Sequence, residues 1–351
     1  MTTAWGSPTL APTPTPTPTP TLTPQGSRPF AAPVTTATYT VPTSIAANGA
    51  TDVSAALNTW IGTVPDGSVI SFPSTGIYLL NTGIEIGNRH NLVFQGNGAT
   101  LRVGPTGSGN NSLASPFVLG WSYPLRYWTG GNTNIAIYNF NLVGNDPTPG
   151  VYTLGTETQA GFQIVGTSYV EVSGCTISAV WGDAFFANGS TNVWLHNNHV
   201  VSAGRQGLTV ITGRNITAEN NAFDKVGYVT FDVEANVITD ASTNIIFRNN
   251  TAGTWGQDFV SVDGQHTGSP INGITVSGNT ITGGTLSARI DNGGTSRMRN
   301  IVFTNNASTV AGYGPVFIFA HIDGLTATGN VQPLKSGSLA SITDSTGVTY
   351  P

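Results

Sequence analysis

Residues 192–198 read NVWLHNN, residues 215–221 NITAENN, residues 244–250 NIIFRNN and residues 300–306 NIVFTNN. The segment recurs in looser form as YVEVSGC at 169–175, GITVSGN at 273–279 and GLTATGN at 324–330. Successive starts lie 23, 23, 29, 29, 27 and 24 residues apart, a period typical of stacked supersecondary units. Within each segment apolar and polar residues alternate, as in a strand with one buried face. Each ends at an equivalent turn position, held by Cys175, Asn198, Asn221, Asn250, Asn279, Asn306 and Asn330. Stacked asparagines can hydrogen-bond side chain to backbone along a column, and they tolerate left-handed turns. A propeller needs about four strands per 40 to 50 residues and a leucine-rich repeat shows its leucine signature; neither pattern is present. The spacing therefore predicts an all-β chain, a single-stranded right-handed parallel β-helix over residues 36–351.

The flanks differ in character from this body. Residues 8–24 read PTLAPTPTPTPTPTLTP, a composition that favours extended polyproline geometry and buries nothing. Residues 1–35 are predicted to be a disordered Pro/Thr-rich linker, of the kind that tethers an additional module upstream outside the cell. Thr51 is placed to cap a short helix, Asp52–Thr63, with Val53, Ala56, Leu57, Trp60 and Ile61 on one side. An open solenoid end exposes apolar surface and unpaired backbone, so this helix is expected to cover the first coil.

Charged residues make up 8% of the chain, against about a quarter in typical globular proteins. The lysines are Lys225 and Lys335 and the net charge is -5, so no basic stripe exists to bind a nucleic acid backbone. No run approaches about 18 apolar residues, so no membrane span is expected. Met1–Leu10 lacks the charged start and apolar core of a secretory signal, and the expectation of a secreted protein rests on the linker. Cys175 stands alone, which excludes an internal disulfide framework and a cysteine zinc site and leaves a small buried residue.

The coil register points to the chemistry. Ten residues beyond the ladder positions come Phe185, Leu208, Phe231 and Val260, and two further on Ala187, Val210, Val233 and Val262. If these face inward, two outward columns follow: Phe186, Thr209, Asp232, Ser261, and Asn188, Ile211, Glu234, Asp263. In the next coil burying Arg289 would be prohibitive, so Arg289 and Asp291 are assigned outward. The result gathers Asp232, Glu234, Asp263 and Asp291 in a chain with only 17 carboxylates. Alternate residues on a strand are about 6.6 to 6.8 Å apart and coils about 4.8 Å apart. Repulsion at such spacing separates pKa values and supplies the acid and base that glycoside cleavage needs. The same carboxylates could instead be solvated, or Asp232, Asp258 and Asp263 could hold calcium beside Arg289 or Lys225 as the base of a lyase. Arg205 could grip substrate or pair with Asp232 or Glu234. Asp183, Gln206 and Asp258 lie at the turns entering these strands and, with Arg289 and Asp291, are expected to bind substrate. Trp181 and Trp255 could stack on sugar rings or pack the coil corners. His266 is the histidine placed nearest the groove. No nucleophile elbow is visible, which ranks an esterase behind the other readings.

On its repeats, roughly over residues 36–345, the chain resembles the pectate-lyase-like superfamily of right-handed parallel β-helix proteins. That resemblance implies a polysaccharide partner, since the superfamily includes polysaccharide lyases, glycoside hydrolases, carbohydrate esterases and phage depolymerases. GRQG at 204–207 followed by FDVEAN at 231–236 resembles a GRQG and DIEPN pairing of bacterial β-helix proteins, with Ala235 in place of the proline. It supports Arg205, Gln206, Asp232 and Glu234 as a functional set. Against polygalacturonases the chain departs: Gln257 precedes Asp258, GRQG lacks the histidine of a GHG turn, and Arg289-Ile290-Asp291 replaces RIK. The expectation is a polysaccharide-cleaving glycoside hydrolase with Asp232 and Glu234 as acid and base, Asp263 assisting and no cofactor required. The alternatives are a calcium-dependent polysaccharide lyase and a non-catalytic binding or adhesion solenoid.

Overall fold

The alternation read in the repeats becomes strands that stack in register, each coil adding one strand to each face of a solenoid. A computed structural model describes residues 28–104, 115–121, 123, 125, 127–155, 159–264, 269–293 and 296–350. Among these, three long parallel sheets of twelve, ten and ten strands run along one right-handed β-helix. The repeat segments form the twelve-stranded sheet, here the flank sheet, in strict order along the chain. A ten-stranded groove sheet contains Phe185–Asn188, Leu208–Val210, Val229–Ala235, Asp258–Gly264 and Ala288–Asp291 as consecutive neighbours.

The inward columns close the core. Phe117, Phe162, Phe185, Leu208, Phe231 and Val260 pair in register, and the rings of Phe162 and Phe185 stack 5.6 Å apart. Each fully buried phenylalanine contributes about 1.5–3 kcal/mol, so the column is a main source of stability. Cys175 is buried in this core, as expected.

The asparagines stack as the sequence implies. Asn250 Oδ1 accepts from Asn221 N at 2.9 Å, and Asn250 Nδ2 donates to Asn279 Oδ1 at 3.1 Å and to Ala218 O at 3.0 Å. The same pattern runs from Cys175 N, which donates to Asn198 Oδ1, up to Asn330. The left-handed residues are the ones just before the ladder: Asn197, Asn220, Asn249, Gly278, Asn305 and Gly329 all have positive φ. Each pair thus divides the work, one residue turning the chain and the next bonding along the column.

The cap is present but begins later than predicted. Asn48–Asp52 is a strand, and Val53 N donates to Leu79 O, so sheet pairing holds the backbone that Thr51 was expected to cap. The helix, α1, spans Ser54–Thr63; Leu57 and Ile61 are buried, whereas Ala56 is exposed. Asn58 Nδ2 donates to Gly83 O and its Oδ1 accepts from Glu85 N, which satisfies the backbone beside the edge strand Ile84–Ile86. The Pro/Thr stretch, residues 8–24, lies outside the described residues, while residues 28–35 run without regular structure to the first strand. No helix of the described residues is long and apolar enough to cross a membrane.

Candidate active site

Strand pairing bears out the first outward column and the Glu234–Asp263 part of the second. One runs Gln163, Phe186, Thr209, Asp232, Ser261, Arg289; the other carries Glu234, Asp263 and Asp291 on successive strands. Ala288 and Ile290 are buried, so the one-residue shift inferred for Arg289 and Asp291 holds.

Outward does not mean exposed here. Asp232 retains 3% of its surface, and Thr209, Asp183 and Gln206 are buried as well. The GRQG turn at 204–207 folds over the strands and supplies the cover. Asp183 accepts from Thr209 Oγ1 at 2.7 Å, from Gln206 N at 3.2 Å and from Arg205 Nη1 at 3.2 Å. Arg205 Nη2 donates to Glu234 Oε2 at 2.9 Å, so its guanidinium bridges two carboxylates. Gln206 Nε2 donates to Asp232 Oδ2, and Gln206 Oε1 lies against Thr209 Oγ1, whose single proton goes to Asp183.

Two sequence expectations are corrected by this burial. Asp232 was placed in solvent and lies beneath the GRQG turn. Asp183 and Gln206, assigned to substrate, spend their hydrogen bonds inside the protein. Of the two roles open to Arg205, the ion pair is the one formed, with Glu234 and also with Asp183.

Burial and contact then sort the charges. Burial pushes the Asp183 carboxyl up to about 6 despite the nearby Arg205 charge and the Thr209 hydroxyl. Asp232 is driven well above the usual carboxylate range by burial, then by the hydrogen bond and charge of Glu234. Burial alone would raise Glu234 too, but hydrogen bonding to Asp232, the Arg205 charge and the Asn236 amide outweigh it and hold it low. Asp232 and Glu234 therefore share one proton as a pair, held on Asp232. Glu234, with 13% of its side chain exposed, is ionised. Beside it on the next strand, half-buried Asp263 is raised by burial, with Asp291 and Glu234 adding to the effect against Arg289.

The remaining expected residues divide. Arg289 is exposed on the groove face. Asp291 is held low, because the Gly293 amide and His321 outweigh its burial. Asp258 sits apart at the start of its strand, raised by burial and hydrogen-bonded to Ser287 and Gln257. Asp232, Asp258 and Asp263 do not converge, and among the described residues no three His, Cys, Asp or Glu side chains are grouped to hold a metal ion. Lys225 donates to Pro149 O, away from the carboxylates. Trp181 Nε1 donates to Asn145 Oδ1, and Trp255, tilted on Phe259, donates to Ser287 Oγ; both rings are half-buried at coil corners. His266 lies outside the described residues.

Sequence reasoning missed Asn236 and Asp240. Asn236 Nδ2 donates to Glu234 Oε1 at 3.0 Å, and Asp240 accepts from the backbone N–H of Asn236 and Val237. The turn Asn236–Asp240 thus carries the far side of the Glu234 carboxylate. An asparagine two residues beyond a candidate carboxylate was the available signal.

The family model described as "Right handed beta helix region" matches residues 66–252. Among solved structures, a DFA-IIIase from Arthrobacter chlorophenolicus A6 superposes with a TM-score of 0.56 at 13% identity, covering 89% of this chain and 94% of that one. An exopolygalacturonase from Thermotoga maritima gives 0.54 at 13% identity, with 88% and 92% covered. The tailspike of E. coli bacteriophage HK620, solved with a hexasaccharide, gives 0.51 at 14% identity, with 86% and 62% covered. A comparison with curated proteins gave no significant match. At such identities the likeness is one of fold.

Proposed function

The chain belongs to the right-handed β-helix family, and from that premise we propose that it is a secreted glycoside hydrolase acting on a polysaccharide laid along the groove sheet. The observation that carries this reading is the ordering of protonation on one open face. Ionised Glu234 stands beside Asp263, whose pKa is raised, on the adjacent strand. Glycoside cleavage needs one carboxyl that gives a proton to the leaving oxygen and one carboxylate on the other side of the bond. Adjacent strands are about 4.8 Å apart, close to the roughly 5 Å separation of retaining enzymes. In this reading Asp263 protonates the glycosidic oxygen and Glu234, aimed by Arg205 and Asn236, attacks the anomeric carbon. Water then releases the sugar with Asp263 as base. Asp232 stays beneath, holding its proton against Glu234. Fold relatives titled as an exopolygalacturonase and as a tailspike with a hexasaccharide support a carbohydrate substrate.

A second reading, a polysaccharide lyase acting on uronate units, is favoured by one observation: exposed Arg289 stands in the groove next to Asp263, suited to a sugar carboxylate. A panel of neutral and uronic polysaccharides separates the readings. Hydrolysis is expected to release reducing ends without ultraviolet absorbance. Absorbing, unsaturated ends would replace hydrolase by lyase, and retention of polymer without any new ends would leave a binding solenoid.

A further inference from the structure

The flank sheet carries a second cluster, unrelated to the groove. Two outward columns of that sheet are mostly small or neutral, as in Val93, Gln95, Thr275, Ser277, Val302 and Thr304. Between them, on neighbouring strands, the same columns hold Tyr138, Glu171, Trp194, His196, Glu219 and Arg248. Glu171 is buried, with a side chain 7% exposed. Its Oε2 accepts from Tyr138 Oη at 2.8 Å, and its Oε1 lies 2.9 Å from His196 Nε2. His196 stacks on Trp194 at 3.6 Å, Trp194 Nε1 donates to Glu219 Oε1 at 2.7 Å, and Arg248 pairs with Glu219 at 2.6 Å.

The third partner of Glu171 comes from far away in sequence. Arg28 Nη2 reaches Glu171 Oε2 at 2.5 Å. Phe30 sits edge-on to Tyr169, with centroids 5.7 Å apart, and the Arg28 guanidinium lies 5.5 Å from the Phe30 ring. Tyr169 has φ +58, at a place in the repeat where other coils put Asn134, Asn192, Asn215, Asn244 or Gly273. A tyrosine there costs of order 1–2 kcal/mol in backbone energy, and the ring it presents meets Phe30. The buried carboxylate and the strained aromatic thus coincide at the strand where the repeat is least regular, and both face the same short segment. Residues 31–36 add little, since they are largely exposed and Thr36 N bonds Gly67 O at the first coils.

We propose that this patch of the flank sheet is a binding site for an Arg-Pro-Phe segment, filled intramolecularly by Arg28–Phe30. It holds residues 28–30 at the fifth strand of the flank sheet instead of at the α1 end. The guanidinium meets the carboxylate that Tyr138 and His196 orient, and Phe30 fills the space against Tyr169. The site is independent of the groove carboxylates and of any activity there.

The test uses the full chain with Ala31→Cys carrying a spin label; Cys175 is buried and does not compete for the label. An immobilised spectrum is expected in that parent, and a largely mobile one after Arg28→Ala, Phe30→Ala or Glu171→Gln. Arg28 is half-buried in a segment without regular structure, so its variant decides the matter if Glu171→Gln disturbs folding. A synthetic QGSRPFAA peptide is expected to bind the Arg28→Ala protein at least about tenfold more tightly than the same peptide with Arg replaced by Ala. Equal label mobility in parent and Arg28→Ala overturns the anchor, as does a peptide that binds no better than its Ala form.

Discussion

Glu234 is held ionised by hydrogen bonds with Asp232, Asn236 and Gln206 and by the Arg205 charge, whereas Asp232 keeps a proton chiefly because it is buried, with Glu234 adding to the effect. Glu234→Gln and Asp263→Asn are each expected to cut turnover by about 10² or more, because each removes a group that must change protonation or form a bond. Asp232→Asn is expected to stay within about tenfold of wild type, since a neutral amide of the same shape can still donate to Glu234 and accept from Gln206. A loss in Asp232→Asn as deep as in Glu234→Gln would place Asp232 among the reacting groups. Asp183 allows a test without substrate. Folded, it titrates at about 6 against an ordinary value of 3.8, so between these pH values the folded chain binds more protons than the unfolded one. Stability contributed by that proton is lost as pH rises through the window, by of order 3 kcal/mol. Asp232 acts in the same direction and Glu234 in the opposite one. Melting temperature should therefore fall less between pH 4 and pH 7 in Asp183→Asn than in wild type; parallel profiles would show Asp183 ionised throughout. Sequence marked Arg205, Gln206, Asp232 and Glu234 as a set, but their roles were illegible, because a residue between two inward neighbours can be covered by a turn from another coil.

The ladder shows what a strand end needs. Asn250→Ala removes the acceptor for Asn221 N and the donor for Ala218 O, both in the interior. Two buried groups left unpaired cost about 1–3 kcal/mol each, so a loss of about 3 kcal/mol is expected. Asn330→Ala removes the same kind of bonds from Asn306 N and Phe303 O at a half-exposed position, where water can substitute. Its loss should be about 1 kcal/mol or less, and guanidinium denaturation distinguishes the two. Equal losses would mean that the column stabilises by something other than satisfied backbone. The helix was less legible than the ladder. Thr51 and Asp52 have the residue types of a cap, yet Asp52 pairs with Leu79 and the strand Asn48–Asp52 claims them. Asp52 instead accepts from Ser54 N, at the first residue of the helix. A long-range strand outcompeted a local signal.

The molecule has two worked faces on one scaffold, carboxylates over the groove sheet and a carboxylate–aromatic patch on the flank sheet. Periodicity determined the solenoid, the asparagine column, the inward phenylalanines and the outward carboxylates, because each coil repeats the same local rule and a period needs no knowledge of distant contacts. Even the register shift at Arg289 followed from the cost of burying a guanidinium. Only the tertiary structure decided which outward residues see solvent, which carboxyl keeps a proton, and where residues 28–30 lie. Those outcomes depend on pairs such as Arg205 with Glu234, 29 residues apart, and Arg28 with Glu171, which no local pattern encodes. Burial and charge are set by what a coil's neighbours bring over it, and the repeat constrains the backbone of those neighbours far more than their turns.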